Sequence, residues 1–298
     1  MVRQYKIHTN LDGTDDKVWD VTNGKVRFYQ PSNLGLKSTN NIWQSNGIGV
    51  MGTRSITQPQ IEFKLETFGE SLEENYRLMK DFVNDILSKK FVTLEYQTEI
   101  FQVYADLALA DVTKTEGYGK NGTFSEKITF DIITKWYTYE TLTLEMIQNG
   151  KVIAGKSKIY GGTAPGYYKY IEGVSYTYYG ETNIERLSRW DIKDEIFSFM
   201  GILYPQLPKT PTGVRFLDDI GNEYTAIVFK TEELQDYILI NTDVNDETYQ
   251  GWKGTTALNL FPVMDFERYR TRIIKKGQME LINLSKAEFK VKRKADFV

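Results

Sequence analysis

A chain of 298 residues with no cysteine, one histidine and a net charge of −3 has room for about two domains at ~100–200 residues each, but for no disulfide framework and no thiolate or His-rich metal site. No run approaches the ~20 apolar residues of a membrane span, and Met1 to Lys6 lacks the apolar heart of a secretory signal, so a protein made in a reducing cytosol is expected, with no membrane partner. The small acid excess lies within residues 1–140, which argues against a nucleic-acid groove there, because such a groove needs clustered cations.

Twenty tyrosines, 14% aromatic residues and 23 glycines point to a mainly β chain. Residues 17–28 read as a hairpin, Val18 to Val21 and Lys25 to Phe28, with Asn23-Gly24 supplying the positive φ of a tight turn. The polar stretch from Pro31 to Gly52 reads as a long loop without secondary structure. Within it Gly47-Ile48-Gly49-Val50-Met51-Gly52 spells GxGxxG, but that fingerprint cradles phosphate only between a strand and a helix start, and neither flank is present. No cofactor is therefore expected.

From Arg54 to Tyr139 the pattern is strand, helix, strand, strand. Ile61, Phe63 and Leu65 alternate with Glu62, Lys64 and Glu66, giving one dry face. Ser71 with Glu74 predicts a capping box. Leu72, Tyr76, Met79, Val83 and Ile86 then share a helix face whose burial is worth roughly 1.5–3 kcal/mol per side chain, and Lys89 and Lys90 are expected in the last turn. Strands are expected at 91–96, 100–111 and 124–136, with Ile128, Phe130 and Ile132 pointing one way and Gly117, Gly119 and Asn121-Gly122 punctuating the last hairpin.

A boundary near 138–144 gives domains at 1–140 and 141–298. Glycines break residues 151–211 repeatedly, and Tyr160, Tyr167, Tyr168, Tyr170, Tyr176, Tyr178 and Tyr179 crowd one part of it. Tyrosine pairs an apolar ring with a polar tip, which suits a protein interface; aromatic pairing between strands is the other reading. Residues 184–200 fit either a short helix or a strand. Beyond Pro211, strands at 224–229, 237–240, 257–261 and 279–284 suggest a sandwich. The lysine-rich end from Ala287 reads as a charged edge strand rather than a nucleic-acid tail.

Little chemistry can be assembled. A Ser-His-Asp triad could pass only through His8. The pairs Asp15-Asp16, Asp218-Asp219 and Asp246-Glu247 sit in turn-like sequence as chain neighbours, not as a facing acid and base. Asp243, Asn245 and Glu247 supply oxygen ligands but lack the spacing and glycine of a calcium loop. No catalytic or metal residue is assigned, and no enzyme is expected.

Trp19-Asp20-Val21, the loop from Phe28 to Leu36, the Tyr76/Phe82 helix, Leu94-Glu95-Tyr96 and the closing run from Phe130 to Tyr137, taken in this order, resemble the distal tail proteins of siphophages infecting Gram-positive bacteria, above all the lactococcal type. The likeness is fainter over 213–298, at Leu239-Ile240-Asn241 and Leu260-Phe261-Pro262. It implies a split-barrel-like N-terminal domain forming a homo-hexameric ring around a channel that DNA crosses without specific binding. It also implies a galectin-like C-terminal β-sandwich, neighbours in the tail tube protein and the tail-associated tip protein, and a place in the virion tail tip or baseplate. An arm inserted at 151–208 would hold receptor-binding protein trimers, with the seven tyrosines as its contact residues. The competing reading is a carbohydrate-binding module or adhesin at the host cell wall. Galectin sites use a histidine, asparagine and arginine cluster beside a tryptophan, and although Trp252 is present the second domain has no histidine.

Overall fold

The computed structural model describes residues 3–11, 13, 15–35, 37–57, 60–114, 125–145, 147–148, 151–152, 158–160, 176–178, 189–244 and 246–295, with backbone alone for Ile56 and for 145–189. Its contacts gather into two units, Met1–Thr138 with Ala295–Val298, and Tyr139–Lys294. Among the described residues strands dominate both, and one α-helix lies in the first.

The first unit runs β1 (Gln4–His8), β2 (Val18–Asp20), β3 (Val26–Ser32), β4 (Lys37–Ser45), β5 (Ile48–Thr57), β6 (Ile61–Thr67), α1 (Leu72–Leu87), β7 (Val92–Gln97), β8 (Gln102–Thr113), β9 (Ser125–Ile132) and the start of β10 (Tyr137–Glu145). Seven strands pair antiparallel in the order β2-β1-β7-β8-β9-β6-β3. The sheet curls until its ends meet, where the Phe28 amide donates to the Val21 carbonyl at 2.7 Å. The alternation in β6 holds, with Ile61, Phe63 and Leu65 buried and their neighbours wetter. The turn between β2 and β3 is built differently from the Asn-Gly expectation. Asp20 Oδ1 accepts from the Thr22 and Asn23 amides, and Gly24 is needed because a Cβ there would lie 2.3 Å from the Asp20 carbonyl oxygen, not because of a positive φ.

Helix α1 begins at Ser71, whose hydroxyl accepts from the Glu74 amide. The Glu74 carboxylate caps the Glu70 amide instead of that of Ser71, so only half of the box forms as expected. The buried face is Asn75, Phe82 and Ile86, with Leu78, Met79 and Val83 packed at its edge. Leu72 and Tyr76, expected to be buried, are 54% and 62% exposed. The apolar stripe is wider than the strip of sheet beneath it, and the curled sheet takes the side centred on Phe82. Lys89 and Lys90 lie past the Ser88 cap rather than in the last turn.

The second unit is a sandwich. After short pairings of β11 (Ile147–Gln148) with β12 (Lys151–Val152) and of β13 (Lys158–Tyr160) with β14 (Tyr176–Tyr178) come β15 (Arg189–Ile192), β16 (Ile196–Pro205), β17 (Thr212–Leu217), β18 (Glu223–Phe229), β19 (Tyr237–Asn241), β20 (Thr248–Lys253), β21 (Thr256–Asn259), β22 (Gly277–Ile282) and β23 (Leu284–Lys294). One layer is β23-β16-β19-β20-β21, and the other is β15-β22-β17-β18. Between them Phe199 meets Phe216 at 5.8 Å, amid buried Leu203, Ile227, Ile240, Met279 and Phe289. Gly201 makes room for the Phe289 ring, which would stand 2.8 Å from a Cβ there.

Several expectations change here. The ambiguous stretch resolves into strands β15 and β16. The single strand expected at 279–284 is two, broken at Asn283, whose φ of 52° turns the chain from one layer to the other. The strand expected at 257–261 stops at Asn259, and Pro262 opens a 3-10 turn. The lysine-rich end is an interior strand, not an edge. β23 pairs with β16 and lies next to β10, its Ala287, Phe289 and Val291 face the core, and its cations find partners in the Lys292–Asp243 ion pair and in Lys290 over the Tyr139 ring.

Phe82→Ala should destabilise the first unit by about 3–5 kcal/mol, whereas Leu87→Ala, at a side chain 63% exposed, should cost under about 0.5 kcal/mol. Chemical denaturation checks the contrast, and equal losses would mean that the helix is seated on another face.

Candidate assembly interface

The stretch expected to be a loop is a long β-ribbon. β4 and β5 pair antiparallel from Lys37 opposite Thr57 to Ser45 opposite Ile48. The two-residue turn is Asn46-Gly47, with φ of 50° and 79°, the paired positive values that a tight hairpin of matching twist requires. GxGxxG is thus the turn and the opening of β5, with no helix behind it.

All nine residues of β4 are exposed, and the apolar ones are large. Trp43 is 68% exposed and stands opposite Val50 at 64%; Ile42 at 53% stands opposite Met51 at 49%, and Ile48 reaches 70%. Adjacent pairs project to opposite faces of a ribbon, so both faces are apolar. Among the described residues the strands make a sheet of their own, joined to no other. A lone two-stranded ribbon is marginal in water, and clustered exposed apolar side chains mark protein interaction sites. Asn-Gly flanked by Ile42-Trp43 and Ile48 to Met51 was the signal available in the sequence.

The second unit offers a groove of about 510 Å³ with an aliphatic floor of Leu142, Met200, Ile202 and Leu239, and with Asp246 and Lys290 on its lining. Of the seven tyrosines singled out, Tyr160, Tyr176 and Tyr178 lie on β13 and β14, where the backbone alone is described, and the register sets Tyr160 against Tyr178. Tyr167, Tyr168, Tyr170 and Tyr179 fall outside the described residues. Trp252 stacks on Tyr237 with centroids 5.9 Å apart.

The ionisable groups considered for chemistry have structural partners. His8 is buried, its Nδ1 2.7 Å from Asp16 Oδ2 and its Nε2 2.9 Å from Glu95 Oε2, while Lys6 Nζ reaches the other Glu95 oxygen at 2.9 Å. Burial opposes ionisation of Glu95, but the hydrogen bonds from Lys6 and His8 outweigh it and hold the carboxyl below its ordinary range. Asp15 pairs with Lys89. Asp218 caps the Ile220 and Asn222 amides of a turn. Of the calcium-loop candidates, Asp243 is taken by Lys292 and Glu247 by Arg272 and Tyr249, and Asn245 lies outside the described residues.

An uncovered apolar ribbon on a curled sheet, followed by a separate sandwich, is the frame in which likeness to known proteins acquires meaning. The model described as "Distal tail protein, N-terminal domain" matches residues 4–133, and that described as "Dit, C-terminal domain" matches residues 135–298. The chain belongs to the distal tail protein family. It is 93% identical to the distal tail protein of Lactococcus phage p2 and 92% identical to that of Lactococcus phage SK1, each over the whole of both chains. A chain in the structure of the phage p2 baseplate in its activated conformation with Ca matches at a TM-score of 0.80, with 93% identity and complete coverage of both chains. The SPP1 Dit crystal structure matches at 0.54 over 98% of each chain with 10% identity, a likeness of fold. A family member of this kind is a structural component of the virion at the tail tip.

Glu95→Gln should lower the melting temperature near pH 7. A depressed carboxyl pKa gives stability that is present above the unfolded value of about 4.3 and is lost as pH falls through the folded value. The gap between Glu95→Gln and the parent should therefore close on acidification below that range, in melts run from neutral to acid pH. A gap that widened in acid would contradict the ion pairing.

Proposed function

We propose that this distal tail protein is the hub of a phage tail tip or baseplate. Six copies of the first unit form a ring around a channel that DNA crosses without specific binding, between the tail tube protein and the tail-associated tip protein. The second unit carries an arm that holds receptor-binding protein trimers. The β4–β5 ribbon is the observation that carries this reading. Apolar on both faces, it needs a cover that the described residues of its own unit do not provide, and a contact in which one patch meets a different patch on the next copy closes into a ring when repeated by rotation. The seven-stranded sheet supplies a firm base for it.

The arm is narrower than 151–208. Residues 189–205 belong to β15 and β16, and Phe199 and Leu203 stand in the sandwich core, so only 151–188 can be spared. The apolar groove of the second unit adds a surface on which a tail component could be seated.

Purified protein should appear as rings by electron microscopy, and Trp43→Ser with Val50→Ser should leave single copies with unchanged circular dichroism. A parent protein that stays a single copy at every concentration tested counts against the ring. Replacing 151–188 by a short linker should preserve the ring and abolish capture of the receptor-binding protein; capture by the shortened chain would place that contact elsewhere.

A further inference from the structure

At the β20–β21 side of the second unit a cleft of about 230 Å³ is lined by Glu247, Tyr249, Asn259 and Phe261. Its polar groups are fixed. Glu247 Oε1 accepts from the Tyr249 hydroxyl at 2.7 Å, and Oε2 accepts from Arg272 Nη2 at 2.7 Å. The Tyr249 hydroxyl also lies 3.4 Å from that of Tyr269. Burial, with Tyr269 and Glu247 beside it, pushes its pKa up, so it stays a proton donor to Glu247. Asn259 Oδ1 accepts from the Phe261 amide at 3.0 Å, while its Nδ2 hydrogens have no partner among the described residues. The Phe261 ring, 46% exposed, is held against Tyr249 and edge-on to Phe266 at 5.1 Å.

We propose that this cleft binds a neutral saccharide ring, with Phe261 against its C–H face, Glu247 accepting from hydroxyl groups, and Asn259 donating to them. The lining selects against other ligand classes. Glu247 disfavours an anion, and the Arg272 guanidinium beside it disfavours a metal ion. A purely apolar ligand would leave the carboxylate and the carboxamide stripped of water with nothing in exchange. A polyol ring with one apolar face and hydroxyls at its edge satisfies both the donors and the acceptors. Each Glu247 oxygen, already holding one bond from the protein, keeps a second lone pair for the ligand. Trp252 is not part of the lining.

The experiment is saturation-transfer NMR on the full chain with glucose, galactose, rhamnose and N-acetylglucosamine, each free in solution. Transfer to the ring C–H protons of at least one sugar is expected. Phe261→Ala and Asn259→Asp should each weaken that sugar by about threefold to tenfold, the scale of one lost neutral contact. Asn259→Asp keeps the oxygen that caps the Phe261 amide and replaces the Nδ2 donors by a charged acceptor oxygen, so it remains decisive if Phe261→Ala disturbs folding. Trp252→Phe should leave affinity unchanged. Absence of transfer to all four sugars, or transfer that survives Asn259→Asp undiminished, overturns the proposal.

Discussion

Phe82 is the side chain on which the first unit closes. A sheet that curls until its end strands meet encloses a space that strand side chains alone fill from the walls, and the helix supplies the remaining volume from one side. The Phe82 ring stands edge-on to Trp19 at 5.2 Å and to Phe28 at 5.8 Å, and Phe28 in turn stacks on Phe63 at 4.6 Å. Residues of β2, β3, β6 and α1 are thereby held in one contiguous apolar cluster. The polar clamp outside repeats the instruction. Asp85, one turn nearer the helix end, accepts from Trp19 Nε1 and Lys17 Nζ. Aromatic packing and these two hydrogen bonds fix the same register of helix on sheet, and agreement between levels is what gives a sequence a single fold.

With that core closed, the apolar residues left outside it carry the information about function. Isolated exposed apolar side chains are ordinary. Five large ones on a ribbon that pairs with no other strand are not, because the ribbon lacks the third strand or packed face that gives independent stability. Membership of the distal tail protein family supplies a setting in which such a surface has use, since a tail tip component is part of a larger particle. The ionisable residues support the same division. His8, Asp16 and Glu95 knit β1, β7 and the loop after β1 together, and in the second unit Glu280 with Arg215 ties β22 to β17 while Glu223 with Arg268 ties β18 to a turn.

The strands of the second half were legible because alternation is local. Glu223–Phe229 and Tyr237–Asn241 fall within two residues of their expected positions. The lysine-rich end departs from its expected place for a reason of period. Alternate lysines look like a protected edge, but a strand with a neighbour on each side shows the same alternation when its cations have partners, and Asp243 and Tyr139 are distant in sequence. The helix face is one strip narrower than its apolar stripe, since periodicity reports which residues are apolar and not how much sheet lies beneath them. The ribbon is hard to see in the sequence because its flanks are Ser, Thr and Asn, which weigh toward a loop, and because it has no core to impose alternation. The cleft at Glu247 was hidden for another reason: Arg272 lies 25 residues from Glu247, and neither Asn259 nor Phe261 is distinctive alone.

Chain topology gives the last constraint. The chain leaves the first unit after Thr138 and returns to it at Ala295, where the Ala295 amide donates to the Trp136 carbonyl at 2.9 Å and the side chain packs on the first core. Trp136 itself donates from Nε1 to the Leu34 carbonyl, so departure and return are anchored within one short patch of the first unit. The sandwich is thus an insertion in the first fold. Insertions with neighbouring ends are tolerated because closing them costs little chain entropy and grows only slowly with length. Such nesting lets the strands of the sandwich change without disturbing the curled sheet, so the two units of this tail component can diverge separately.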